Sequence, residues 1–249
     1  MSLPLDRVIE KLDAYLARND YAGAERHLQY WLSEADASRD ERARLSLLNE
    51  QIGLYRKTAR EAECLAAIAG ALSLSRALGL ENSLSYGTTL INAATGYKAF
   101  GRAAEALPLY REARALYEAS LPPDDARLGG LYNNMALTLT ELGEFREARA
   151  LYGKAIGVME KQEHGALEVA VSRLNMADLI AAETGLEDGA EEIEKQLAEA
   201  ERLLDSGELP RDGHYAFVCE KCAPVFGYYG YFVFEEELTR RAKEIHERT

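Results

Sequence analysis

The residues that offer chemistry most directly are Cys219 and Cys222, spaced as Cys-Glu-Lys-Cys, with His214 upstream and His246 downstream. Thiolate and imidazole are zinc ligands, and a C-x-x-C pair is also the centre of dithiol redox sites. Zinc asks for four ligands, however, and a lone C-x-x-C supplies two; a structural site shows a second pair at suitable spacing. The remaining cysteine, Cys64, lies far upstream, and a thioredoxin-like motif would need a βαβ setting that is absent. Cys219 and Cys222 therefore read as half-buried residues of one helix. The other histidines, His27 and His164, stand in no recognisable frame with a serine or cysteine, and Gly185–Lys195 (GLEDGAEEIEK) lacks the spacing and lysine of a phosphate loop. No catalytic residue, metal ligand or cofactor-binding residue is assigned, and the chain is expected not to be an enzyme.

Composition narrows the field further. The 249 residues carry a formal net charge of −13, which argues against a general affinity for nucleic acid or anionic lipid, since both need a basic face. The acidic surplus comes without blocks of like charge, as expected if many carboxylates simply solvate outer helix faces. Apolar residues make up 47% and charged residues 29%, as in a folded soluble protein. The most apolar run, Leu65–Leu72, is too short to span a bilayer, and the N-terminus shows no secretory pattern. With three cysteines, a reducing cytoplasm is the expected location.

The elements that carry these residues follow from sliding the chain along itself. Residues 132–155 read YNNMALTLTELGEFREARALYGKA, and residues 90–113, 42 positions earlier, read LINAATGYKAFGRAAEALPLYREA. Ala136, Gly143, Ala148, Tyr152 and Ala155 fall on Ala94, Gly101, Ala106, Tyr110 and Ala113, and Asn134 falls on Asn92. Fainter copies flank these two: Tyr21 and Ala24 after the turn at Asn19-Asp20, then Ile52, Cys64, Ile68 and Ala71. Downstream come Asn175-Met176-Ala177, and last Ala223, Gly230 and Ala242. Six units begin near residues 5, 45, 87, 129, 170 and 216. Each reads as two antiparallel helices, with apolar residues three and four apart on both sides of a turn carrying Gly or Asn-Asp. Small residues at the crossing points let the backbones approach, while Tyr110 and Tyr152 fill the adjoining space. Such a pair cannot bury its apolar face alone, so neighbouring pairs must stack. Pro108 speaks against a helix, unless that helix begins near Ala103 and the proline sits close to its first turn.

A small residue at the eighth position, glycine at the fifteenth, then Ala, an aromatic and Ala: the unit resembles the tetratricopeptide repeat. Its 42-residue period is similar to the repeats of kinesin light chains and related bacterial proteins, best over residues 87–161. The resemblance implies an all-α, right-handed superhelical solenoid of about six helix-turn-helix repeats. These would cover residues 5–38, 45–78, 87–120, 129–162, 170–205 and 216–249 of one domain, 1–249. HEAT and armadillo repeats have a similar period but fit the glycine turn and alanine spacing poorly.

The resemblance further implies a concave groove, lined by the first helix of each unit, that takes a peptide or protein segment. The residues expected to line it are Asn49, Arg56, Asn92, Thr95, Lys98, Asn133, Asn134, Thr140, Asn175 and Asp178. Amides at Asn92, Asn134 and Asn175 could grip an extended backbone, since each offers donor and acceptor, or could instead brace neighbouring helices. Arg56 and Lys98 would suit an acidic side chain. A clamp for a C-terminal carboxylate is not evident, because Ile9 and Asp13 occupy the relevant positions of the first unit. The function expected is a non-enzymatic, cytoplasmic binding scaffold for a protein or peptide of unknown identity. The alternative is a peptide- or ligand-gated bacterial regulator acting through a separate effector partner. The aromatic run Phe226–Phe234 (FGYYGYFVF) is expected to pack the last hairpin, with a subunit-pairing patch, and hence a homodimer, as its rival reading.

Overall fold

The computed structural model describes residues 3–248. Among the described residues every regular element is an α-helix. The chain divides into two compact units, Met1–Ser120 and Leu121–Thr249.

The first unit holds α1 (Leu5–Leu16), α2 (Tyr21–Ser38), α3 (Glu41–Lys57), α4 (Glu61–Ala77), α5 (Leu84–Ala99) and α6 (Ala103–Ser120). Successive helices pair as hairpins, each second helix lies against the first helix of the next, and α3 also lies beside α5. Helix starts are set by side chains that satisfy free backbone donors. Asp20 accepts from the Gly23 N–H at 2.8 Å, Asp40 from Ala43 at 3.1 Å and Ser83 from Tyr86 at 3.1 Å. Ala94, Ala106 and Ala113 are fully buried where α5 and α6 cross, with Tyr110 equally buried beside them. Close approach continues between hairpins, since a Cβ on Gly96 would come within 2.8 Å of the Ile68 side chain.

The second unit holds α7 (Ala126–Glu141), α8 (Phe145–Met159), α9 (Ala166–Thr184), α10 (Ala190–Leu204), α11 (Gly213–Tyr228) and α12 (Phe232–His246). Its hairpins are α7–α8, α9–α10 and α11–α12, and the first helices α7, α9 and α11 lie side by side in that order. Ala136, Ala148 and Ala155 are fully buried around Tyr152, as are Ala177 and Ala200 in the next hairpin. The pattern of small and aromatic residues is thus the contact surface of each helix pair, as the repeat required.

Two prolines fall inside helices. Pro108 is the sixth residue of α6, which does begin at Ala103, so it lies just beyond the turn whose donors are unpaired. It removes the partner of the Ala104 carbonyl, on an exposed stretch where water can replace it. Pro224 lies deeper in α11, again on the exposed side.

Candidate functional site

The expected groove residues sit on first helices, and within each unit the structure joins two of them. In the first unit Asn92 Nδ2 donates to Asn49 Oδ1 at 3.0 Å, while Asn49 Nδ2 donates to the Leu45 carbonyl at 3.0 Å and to Thr89 Oγ1 at 3.1 Å. In the second, Asn175 Nδ2 donates to Asn133 Oδ1 at 2.9 Å, and Ser172 Oγ donates to the same oxygen at 3.1 Å. Both amide pairs follow one rule. The sixth residue of a repeat donates to the fifth residue of the repeat before it. The ladder therefore runs diagonally, and the partner of Asn175 is Asn133, not the repeat-equivalent Asn134.

These bonds leave part of each pair open. Both lone pairs of Asn133 Oδ1 are taken, but no bond from its Nδ2, nor any to Asn92 Oδ1 or Asn175 Oδ1, forms among the described residues. Asn134 is half-buried and its side chain makes no hydrogen bond among the described residues. The amides thus brace neighbouring helices and still present donors and acceptors to the outside.

Other expected residues are engaged locally. Thr95 Oγ1 donates to the Ile91 carbonyl at 2.8 Å and meets the Tyr110 hydroxyl at 2.9 Å, which turns it toward the second helix of its own hairpin. Thr140 Oγ1 donates back to the Ala136 carbonyl. Asp178 Oδ1 accepts from the Tyr229 hydroxyl at 2.9 Å, linking α9 to the end of α11. The protein bulk around the Asp178 carboxyl raises its pKa, an effect the Tyr229 bond opposes. Arg56 is exposed on the last turn of α3, and Lys98 is half-buried on the last turn of α5.

A further feature of the first-helix face touches Asn133 alone of the expected residues. A cavity of about 160 Å³ opens in the second unit between the N-terminal parts of α7, α9 and α11. Asn133, Glu168, Ser172, His214 and Lys221 supply its polar groups, and Met159, Val171 and Phe217 its apolar wall. His214 Nε2 lies 3.0 Å from Glu168 Oε1. Glu168 Oε2 is buried without a hydrogen-bond partner among the described residues. Phe217 projects from α11 with 59% of its surface exposed. One sequence signal could have found the pair: Glu168 and His214 are 46 residues apart, the offset between the last two repeats.

The Cys-x-x-Cys pair is packing. Cys219 and Cys222 are fully buried, deeper than the half-buried placement expected from sequence. Burial pushes the Cys219 thiol up to about 11 and that of Cys222 up to about 12. His214 and His246 turn instead to Glu168 and Glu220. Among the described residues no group of three or more His, Cys, Asp or Glu side chains is placed to hold a metal ion.

The aromatic run divides between its two readings. Phe226 is buried and packs its ring on those of Phe234, at 4.7 Å between centroids, and Tyr231, at 5.9 Å. Tyr228, Phe232 and Val233 face outward, with Val233 85% exposed. Among the described residues no helix is long and apolar enough to cross a membrane.

Comparison with known proteins places this architecture. Residues 87–126 and 129–161 match the tetratricopeptide repeat family model. The fold is similar to a putative kinesin light chain from Podosopora anserina with nearly identical TPR-like repeats, at a TM-score of 0.58 and 16% identity over 82% of this chain and 96% of that one. It is also similar to BtubC (BKLC) from P. vanneervenii, at 0.53 and 17% identity over 99% and 92%. A Rap protein complexed with Competence and Sporulation Factor aligns at 0.66 and 13% identity, covering 100% of this chain and 66% of that one. No curated protein sequence matches the chain. The fold is an all-α helical-repeat solenoid. Residues 87–126 and 129–161 carry the tetratricopeptide repeat match, and the fold as a whole is similar to solved TPR-like repeat structures.

Proposed function

We propose that this protein is a non-enzymatic, cytoplasmic scaffold that binds a peptide or protein segment along the faces of its first helices. The observation that carries the reading is the diagonal amide ladder, which is anchored between helices and still keeps outward acceptors on Asn92 and Asn175 and a donor on Asn133. An extended backbone offers both kinds of group at every residue, so fixed amides suit it whatever its side chains. The Rap likeness supports a bound partner, since that protein is complexed with Competence and Sporulation Factor. The test begins with capture of a partner from native cytoplasm and its identification by mass spectrometry. Asn134→Ala combined with Lys98→Ala should then weaken binding of that partner at least tenfold. Unchanged affinity rules the reading out.

The Rap likeness over the full chain also favours a second reading, a peptide-gated regulator acting through a separate effector partner. Small-angle scattering with and without the captured partner's binding segment separates the two readings, because a scaffold keeps its envelope and a gated regulator does not. Exposure of Tyr228, Phe232 and Val233 supports self-pairing through the last hairpin. Sedimentation that stays monomeric up to millimolar concentration excludes such pairing.

A further inference from the structure

The cavity between α7, α9 and α11 has two chemical halves. One half ends on Glu168, a partly exposed side chain with one oxygen held by His214 while the other, Oε2, is buried without a hydrogen-bond partner among the described residues. An unpaired buried carboxylate oxygen is costly and calls for a donor. Ser172 Oγ, beside it on the same helix, gives its proton to Asn133 and so offers lone pairs to the cavity. Asn133 Oδ1 is already filled by two donors, so the acceptors left at this end come from Glu168 and Ser172. The other half is apolar, lined by the buried Met159, by Val171 and by the exposed ring of Phe217.

From this arrangement we infer that the cavity is a subsite for a lysine side chain of the bound segment. The ammonium donates to Glu168 Oε2 and Ser172 Oγ, and the methylene stem lies along Met159, Val171 and Phe217. Size agrees: about 160 Å³ accommodates roughly five groups of water size, and a lysine side chain has five non-hydrogen atoms. Charge agrees too. Residues 121–249 hold twenty-six Asp and Glu against fourteen Lys and Arg, whereas residues 1–120 hold sixteen against fifteen. A field of that sign steers a cationic segment to the second unit in particular. Lys221, also on the lining, and the helix N-termini nearby make the opposite case, for an acidic side chain, and the test decides between them.

The inference rests on the reading of the first-helix face as a binding surface. It is tested with small probes that need no identified partner. The full chain, labelled with ¹⁵N, is titrated with Nα-acetyl-lysine methylamide, with the norleucine analogue that has an apolar stem only, and with the glutamate analogue. The expected result is shift changes centred on Glu168, Ser172 and Phe217, at least tenfold tighter for lysine than for norleucine, and reversed by 0.5 M salt. Glu168→Gln keeps size and shape and should remove the lysine preference while leaving the rest of the spectrum unmoved. Equal binding of lysine and norleucine, tighter binding of glutamate, a lysine preference that survives Glu168→Gln, or no shifts at the cavity each overturns the subsite. The partner-binding assay with Asn134→Ala and Lys98→Ala reads the groove separately, so intact groove binding alongside a failed lysine titration rejects this inference alone.

Discussion

The three hairpin turns of residues 1–120 place Asn19, Ala59 and Gly101 at positive φ, whereas those of residues 121–249 place Gly143, Gly185 and Gly230 there. Except at Gly185, whose ψ of 167° extends the chain, the closing bond is the same with or without glycine. Arg60 N–H reaches the Tyr55 carbonyl at 2.9 Å across Ala59, and Glu144 N–H reaches Leu139 at 2.9 Å across Gly143. Both are the closing bond of a helix that ends on one left-handed residue. The turn is therefore demanded by the hairpin, and the first unit meets that demand at Asn19 and Ala59 with side chains that pay a steric penalty. Charge separates the units as well, with a near balance in the first and a large acidic surplus in the second. So does apolar exposure, since Tyr30 is exposed in the first unit, against Leu142, Leu186, Phe217, Tyr228, Phe232 and Val233 in the second. Left-handed residues with side chains sit in the hairpin turns of one unit, and the acidic surplus and most of the exposed apolar side chains sit in the other.

What the units share gives the largest predicted effect. Tyr110 and Tyr152 occupy the same place in their repeats and both are fully buried. Truncation to Ala should cost about 3–5 kcal/mol in either case, as for other large aromatic side chains. Urea denaturation of the two variants checks it, and a cost below about 1 kcal/mol for one of them would show that the two crossings are not equivalent.

The amide ladder sharpens the comparison within the second unit. Asn133→Ala removes the acceptor of both Ser172 and Asn175 and should cost about 1–3 kcal/mol. Asn134→Ala removes no hydrogen bond and should change stability by about 0.5 kcal/mol or less. Equal costs would break the diagonal pairing rule.

The turns come next. Ala59→Gly relieves a left-handed alanine and should stabilise the protein by about 1 kcal/mol, while Gly143→Ala imposes the same strain and should destabilise by about as much. Thermal denaturation of both variants gives the answer. Two changes of the same sign would mean that the turns differ in geometry after all.

These cases also mark what the sequence makes legible. Helix pairs, crossing alanines and the turns at Asn19, Gly101, Gly143 and Gly230 follow from composition and period, because each demands a particular residue type. Ala59 does not stand out, since alanine is the residue least expected at positive φ. Which amide meets which is not legible, because self-alignment matches equivalent positions while the bonds join the sixth residue of one repeat to the fifth of another. Neighbouring helices pack with a stagger, which sets the sixth residue beside the fifth. Thr95 was expected to face outward but meets Tyr110, since a hydroxyl at a half-buried position can turn either way. The cavity is not legible from any one repeat because its residues lie on four helices, and the 46-residue offset of Glu168 and His214 gains meaning only once the hairpins are stacked.

The smallest effect concerns the thiols, which separate a packed pair from a metal site in the second unit. Burial keeps Cys219 and Cys222 protonated, at about 11 and about 12 against an ordinary 9.0. At pH 8 the thiolate fraction is on the order of one in a thousand or less, so alkylation of the native chain should be slow until it unfolds. The sign of the linkage follows. Above pH 9 the unfolded chain releases these protons and the folded one holds them, so stability falls as pH rises from 9 toward 12. Cys219→Ala with Cys222→Ala should flatten that decline and leave the melting temperature insensitive to added zinc. A zinc-dependent rise in the melting temperature of the unaltered protein, lost in the double variant, would return the pair to metal chemistry.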